Sequence, residues 1–172
     1  MENLASKETF PLDSFLPPVS MYDVFITDIK DSSFLDIARA LNCTPRLTPT
    51  QVSEEKLFPV TGTFYGPCRR IFVPLIVRCG MGDAINVLFL VDTCAPMTFL
   101  RADTLKALGF TESTPECANV TVHGQRLAVG LSRGHFAQVD LLGQDFFVQL
   151  GGTTIIDYRE LTCLIKAPTS TR

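Results

Sequence analysis

From residue 71 to residue 165 the chain breaks into short apolar runs separated by turn-forming residues, and this punctuation constrains the fold more than any other feature. Residues 71–78 and 86–91 are dense in Val, Ile, Leu and Phe, with a turn around Gly80, Gly82 and Asp83 between them. Runs of this length and composition read as strands. Residues 119–122 and 126–131 read as a hairpin, with His123, Gly124 and Gln125 at its turn. Residues 136–142 read as another strand, and 154–157 with 161–165 as a last hairpin across Tyr158, Arg159 and Glu160. One short helix is expected at 101–108, closed by Gly109, a residue suited to a left-handed cap. Many short strands with turns between them predict a mainly β fold, a closed or nearly closed barrel with one or two short helices.

The first 58 residues have a different character. Residues 1–20 are polar, carry Pro11, Pro17 and Pro18, and read as an extended arm. Residues 22–29 alternate in part, as a short strand would. Residues 33–41 read as a helix, because Phe34, Ile37, Ala38 and Leu41 share one face at helical spacing. Ser33 suits its N-cap and Asp36 its first turn. Pro45, Pro49 and Pro59 mark 44–59 as a loop and a boundary. The expected division is an N-terminal extension over 1–58, a β domain over 59–166 and a tail over 167–172.

Composition narrows the function classes. A hydrophobic share of 46% against 19% charged residues provides for a core. Fifteen basic against 18 acidic residues, a net charge of −3, gives no broad attraction to nucleic acid. No run reaches the ~18 apolar residues that a membrane helix needs. The polar first ten residues lack a signal-peptide pattern, so a cytoplasmic location with free thiols is expected. Cys43, Cys68, Cys79, Cys94, Cys117 and Cys163 form no CxxC pair, and His123 and His135 are the two histidines. That set predicts no metal site, and no other cofactor is expected. Gly151-Gly152 lacks the spacing that cradles phosphate.

One segment carries chemistry: Phe89-Leu90-Val91-Asp92-Thr93-Cys94-Ala95-Pro96. An apolar strand delivers an acidic residue directly into a tight turn, which is costly unless the carboxylate is hydrogen-bonded or paired. The plainer reading is an Asp that caps its own turn. Elsewhere His123 and His135 read as surface turn histidines. Asp140 and Asp145 flank an apolar segment, with Asp145 suited to capping a following helical turn. Asp157 reads as a hairpin-turn residue.

Three segments in order resemble the retropepsin-like aspartic proteases. Residues 89–96 resemble the active-site signature, in which apolar residues lead into Asp-Thr or Asp-Ser and then Gly-Ala. Leu141-Leu142-Gly143-Gln144-Asp145 resembles the apolar-apolar-Gly-x-Asp segment that packs beside that loop. The final strand pair resembles the family's terminal strands. The resemblance implies a retropepsin lobe of retroelement type that pairs as a homodimer and cleaves extended polypeptide. It implies Asp92 as the catalytic carboxylate, with Thr93, Cys94 and Ala95 supporting the loop and Leu142, Gly143 and Asp145 packing against it. In such a dimer two carboxylates share a proton, one activating water and the other donating to the substrate carbonyl. Cys94 stands where the family has Gly, which leaves three readings: a relaxed turn in which Cys94 packs, a degenerate site, or a thiol open to oxidation. Asp92 and Gly143 are 51 residues apart, which leaves little room for a flap. If the 119–131 hairpin belongs to the body, the flap is missing or reduced to 111–116. The alternatives to an enzyme are a non-catalytic dimerisation or peptide-binding module, and a monomeric barrel of unrelated ancestry.

Overall fold

The computed structural model describes residues 26, 28–50, 57–111 and 114–168. Its elements in chain order are α1 (Ser33–Ala40), β1 (Pro49–Thr50), β2 (Val60–Tyr65), β3 (Arg70–Arg78), β4 (Ala84–Val91) and β5 (Phe99–Leu100). There follow α2 (Ala102–Ala107), β6 (Cys117–Val122), β7 (Gln125–Leu131), β8 (Asp140–Leu142), α3 (Gln144–Leu150), β9 (Thr153–Asp157) and β10 (Thr162–Lys166).

The strands run in the order β1-β4-β8-β5-β7-β6-β3-β2-β10-β9, and β3 also pairs with β4. That extra pairing closes six strands, β3, β4, β8, β5, β7 and β6, into a barrel. The expected mainly β fold with a closed barrel and few short helices is borne out. The last hairpin extends the sheet outward, with β10 on β2 and β9 at the edge.

β4 explains the organisation. Val87 and Phe89 face the barrel interior, where they meet Val73, Leu75, Val129 and Phe146. Leu88 and Leu90 face outward into a second cluster with Phe72, Phe34, Ile37 and Val139. A strand buried on both faces reads as a continuous apolar run, which is what residues 87–91 are. The outer cluster is roofed by α1, whose apolar stripe buries Phe34 and Ile37. Each such side chain contributes about 1.5–3 kcal/mol. The described part of the N-terminal 58 residues thus lies against the barrel, and β1 pairs with the start of β4.

Several expectations need correction. Ser33 lies inside α1 and is buried, and its hydroxyl accepts the Lys30 N–H instead of capping the helix. The 136–142 strand shrinks to Asp140–Leu142, because Gly134–Phe136 coil into a 3-10 turn. β2 was not anticipated, since Gly62 and two Thr hide its alternation, and the two-residue β5 gave no signal. The arm over 1–20 and residues 22–25 and 27 of the 22–29 strand lie outside the described residues; Ile26, Asp28 and Ile29 are not in a strand. The 119–131 hairpin is part of the barrel, paired to β3 through β6 and to β5 through β7. No strand occupies the described residues between α2 and β6, so no flap hairpin is seen among the described residues.

Candidate active site

Asp92 leaves the end of β4 into a loop clamped at both ends by the β8–α3 junction. Its backbone N–H donates to the Leu142 carbonyl at 3.0 Å, and the Gln144 N–H donates to the Ala95 carbonyl at 2.8 Å. These bonds follow from topology. β8 runs parallel to β4, Val91 opposite Leu142, and antiparallel to β5, Phe99 opposite Leu141. One short strand therefore sits between the two strands that carry the 92–98 loop.

Within the loop the Ala95 N–H donates to the Asp92 carbonyl at 3.2 Å, and the Cys94 N–H donates to Asp92 Oδ1 at 2.9 Å. The carboxylate therefore does cap its own turn through one oxygen. The other makes no hydrogen bond to a described residue. Thr93 and Cys94 are exposed, while Asp92 and Ala95 are half-buried. Cys94 is absent from the described non-glycine residues with positive φ. The turn therefore takes a side chain where the related pattern has Gly, with no left-handed strain.

Gly143 and Asp145 support the loop from below. A Cβ on Gly143 would stand 2.2 Å from the Met97 carbonyl oxygen, so only glycine allows the two segments to cross this closely. Asp145 accepts the Thr98 backbone N–H at 3.0 Å and the Thr98 hydroxyl at 2.7 Å, and that hydroxyl accepts the Gly143 N–H at 3.1 Å. Asp145 also accepts the Phe146 N–H, so it serves the start of α3, but its main partner is across the loop. Thr98 is fully buried and was not singled out by sequence reasoning.

A second buried cluster was also missed. Asp140, fully buried, accepts Arg46 Nε at 3.1 Å and the Arg101 N–H at 2.8 Å. Arg46 also forks onto Asp103, at 2.8 and 2.6 Å. Burial pushes the Asp140 carboxyl up against the pull of Arg46 and the Arg101 N–H. For Asp103 burial is outweighed by the hydrogen bond and charge of Arg46 and the charge of Arg101, which hold its carboxyl low. An acid between Val139 and Leu141 was a signal that some cation must reach it. Arg46 lay too far along the chain to be identified.

An open groove of about 750 Å3 runs beside the loop. Ile71, Leu90, Leu141 and Phe136 provide apolar surface, and Arg69, His135 and Asp92 provide polar groups. His135 is exposed, as expected. His123 is not: it is buried, at φ +47° in the β6–β7 turn. Its Nδ1 accepts the Ile76 N–H at 3.2 Å, and Nε2 is bonded to the Leu57 carbonyl. Burial lowers its pKa, and two backbone partners explain why a turn histidine faces inward. Among the described residues no group of three or more His, Cys, Asp or Glu is placed to hold a metal, and no helix is long and apolar enough to cross a membrane. The six cysteines form no disulfide among the described residues.

No protein-family model matches the chain, and no curated protein matches it. Among solved structures, it is similar to the crystal structure of a retropepsin-like aspartic protease from Rickettsia conorii. The identity is 15%, the match covers 66% of this chain and 96% of that one, and the TM-score is 0.46.

Proposed function

We propose that this chain is one half of a retropepsin-like aspartic endopeptidase, and that two copies meet to place their Asp92 carboxylates together. The observation that carries this reading is the presentation of Asp92. A buried strand delivers it, two backbone bonds clamp its loop, and one carboxylate oxygen beside an open groove makes no hydrogen bond to a described residue. A lone carboxylate in such a place lacks the partner that would hold a proton for it. A second copy supplies that partner by symmetry. Two carboxylates within a few ångströms share one proton and titrate as a unit. The ionised one takes a proton from water as the water oxygen attacks the substrate carbonyl carbon. The protonated one donates to the carbonyl oxygen. Collapse then breaks the C–N bond, with a proton delivered to the leaving nitrogen.

In this reading Thr93 lies toward the dimer axis, Cys94 and Ala95 form the floor, and Leu142, Gly143 and Asp145 hold that floor in place. The substrate is extended polypeptide, and neither metal nor other cofactor takes part. Residues 59–166 form the peptidase unit, with 1–58 as an extension and 167–172 as a tail.

The test is cleavage of a diverse peptide mixture between pH 4 and 7, read by mass spectrometry, with sedimentation run in parallel. Cuts made by the wild type and lost in Asp92→Ala are expected, with a dimer in both. A second reading, a non-catalytic dimerisation or peptide-binding module, is favoured by one observation: no flap hairpin covers the groove among the described residues. A folded dimer that cuts nothing, with or without Asp92, would decide for the module. A monomer that cuts nothing would sink both.

A further inference from the structure

A second cavity shares no lining residue with the groove beside Asp92, and its lining is cationic. It measures about 440 Å3, a size suited to a small ligand. Arg78, Thr121 and Arg126 line it, and they are consecutive in the sheet: Arg78 pairs with Thr121 across β3 and β6, and Thr121 with Arg126 across β6 and β7. Their neighbours Val77, Val120, Val122 and Leu127 are buried in the barrel core. Alternation therefore sends all three outward on one face. With strands ~4.8 Å apart, the two arginine backbones stand about 10 Å from each other, within joint reach of one ligand over Thr121.

Among the described arginines, Arg69, Arg78 and Arg126 lack a carboxylate partner, and the last two share one cavity. Arg39, Arg46, Arg70, Arg101, Arg133 and Arg159 each pair with a carboxylate. Arg78 and Arg126 have no ion pair or side-chain hydrogen bond among the described residues, and none of the described residues lining their cavity is acidic. Gln125 and Thr121 add polar groups whose side chains make no hydrogen bond to a described residue. Like charges in one cross-strand row repel, so the sheet carries an electrostatic cost that an anion would relieve. The wall behind is fixed. The His123 ring is held by Ile76 and Leu57 and meets the Phe58 ring edge-on, with centroids 4.9 Å apart.

We propose that this cavity binds a small ligand through an oxyanion, a carboxylate or a phosphate, gripped between Arg78 and Arg126 over Thr121. Guanidinium groups match both oxyanions with paired hydrogen bonds. The site is separate from Asp92 and stands whether or not the chain is a peptidase.

The experiment is a backbone-amide NMR titration of the full chain with inorganic phosphate and with succinate, at ionic strength held constant by sodium chloride. Saturable shifts at Thr121, Gly124 and Gln125 are expected, and the tighter of the two probes identifies the oxyanion. Arg78→Gln and Arg126→Gln should each weaken binding about tenfold with the thermal melt unchanged, and Arg78→Lys should retain part of it. Absence of saturable shifts, or shifts that sodium chloride alone reproduces, would overturn the proposal. So would a loss below about threefold in both Gln variants. A silent wild type with a responsive Glu54→Gln/Glu55→Gln variant would overturn it too, by showing that the chain's own carboxylates fill the cavity.

Discussion

Asp145 holds Thr98 through both carboxylate oxygens, one on the backbone N–H at 3.0 Å and one on the hydroxyl at 2.7 Å, and Thr98 in turn accepts the Gly143 N–H. The far end of the 92–98 loop is thereby pinned to α3. Thr98→Val keeps the shape but leaves the buried Gly143 N–H without its acceptor and Asp145 Oδ1 with the Phe146 N–H alone. We expect a loss of about 2 kcal/mol in urea unfolding. Asp145→Ala should cost about as much, and the double variant less than the sum, because both break one network.

Cys94 occupies its turn without positive φ. Glycine there gains nothing in the folded state and has more freedom to lose from the unfolded one. Cys94→Gly should therefore lower stability by about 0.5–1 kcal/mol. A gain in stability on the same denaturation curve would show that the thiol side chain strains the loop.

Arg46 ties the segment after α1 to Asp140 at the start of β8. Arg46→Ala leaves a fully buried carboxylate without its cation, a change that costs about 3–5 kcal/mol in comparable buried pairs. The same variant combined with Asp140→Asn should recover part of that loss. Urea unfolding of both variants measures the difference.

His123 carries a pH dependence whose sign follows from its burial. Its folded pKa lies below the ordinary value of 6.5. The unfolded chain therefore takes up the proton first, and stability falls as pH drops below about 6.5 toward the folded pKa. Its contribution is complete above that window. His123→Asn tolerates the positive φ and should flatten the slope between pH 7.5 and 5.5, measured by denaturant midpoints.

Local patterning made much of this molecule legible. Residues 71–78 and 86–91, the β6–β7 hairpin and the last hairpin follow from alternation, apolar runs and turn chemistry within a few residues of one another. Gly109 ends its helix region at φ +100°, as a left-handed cap does. Asp157 Oδ1 accepts the Arg159 and Glu160 N–H groups in the last turn, as a turn aspartate should. The 92–95 loop was marked by an acid at the end of an apolar strand.

The sequence by itself determined where strands begin and turn, that a core exists, and which acid stands at the mouth of a buried strand, because these depend on neighbours along the chain. The tertiary structure alone decided the rest. It placed β8 beside β4, brought Arg46 to Asp140 across 94 residues, turned His123 inward and committed the 119–131 hairpin to the barrel wall. Each of these is a pairing between distant segments, selected when the barrel closes and every buried polar group must find a partner. No window along the chain holds both halves of such a pair.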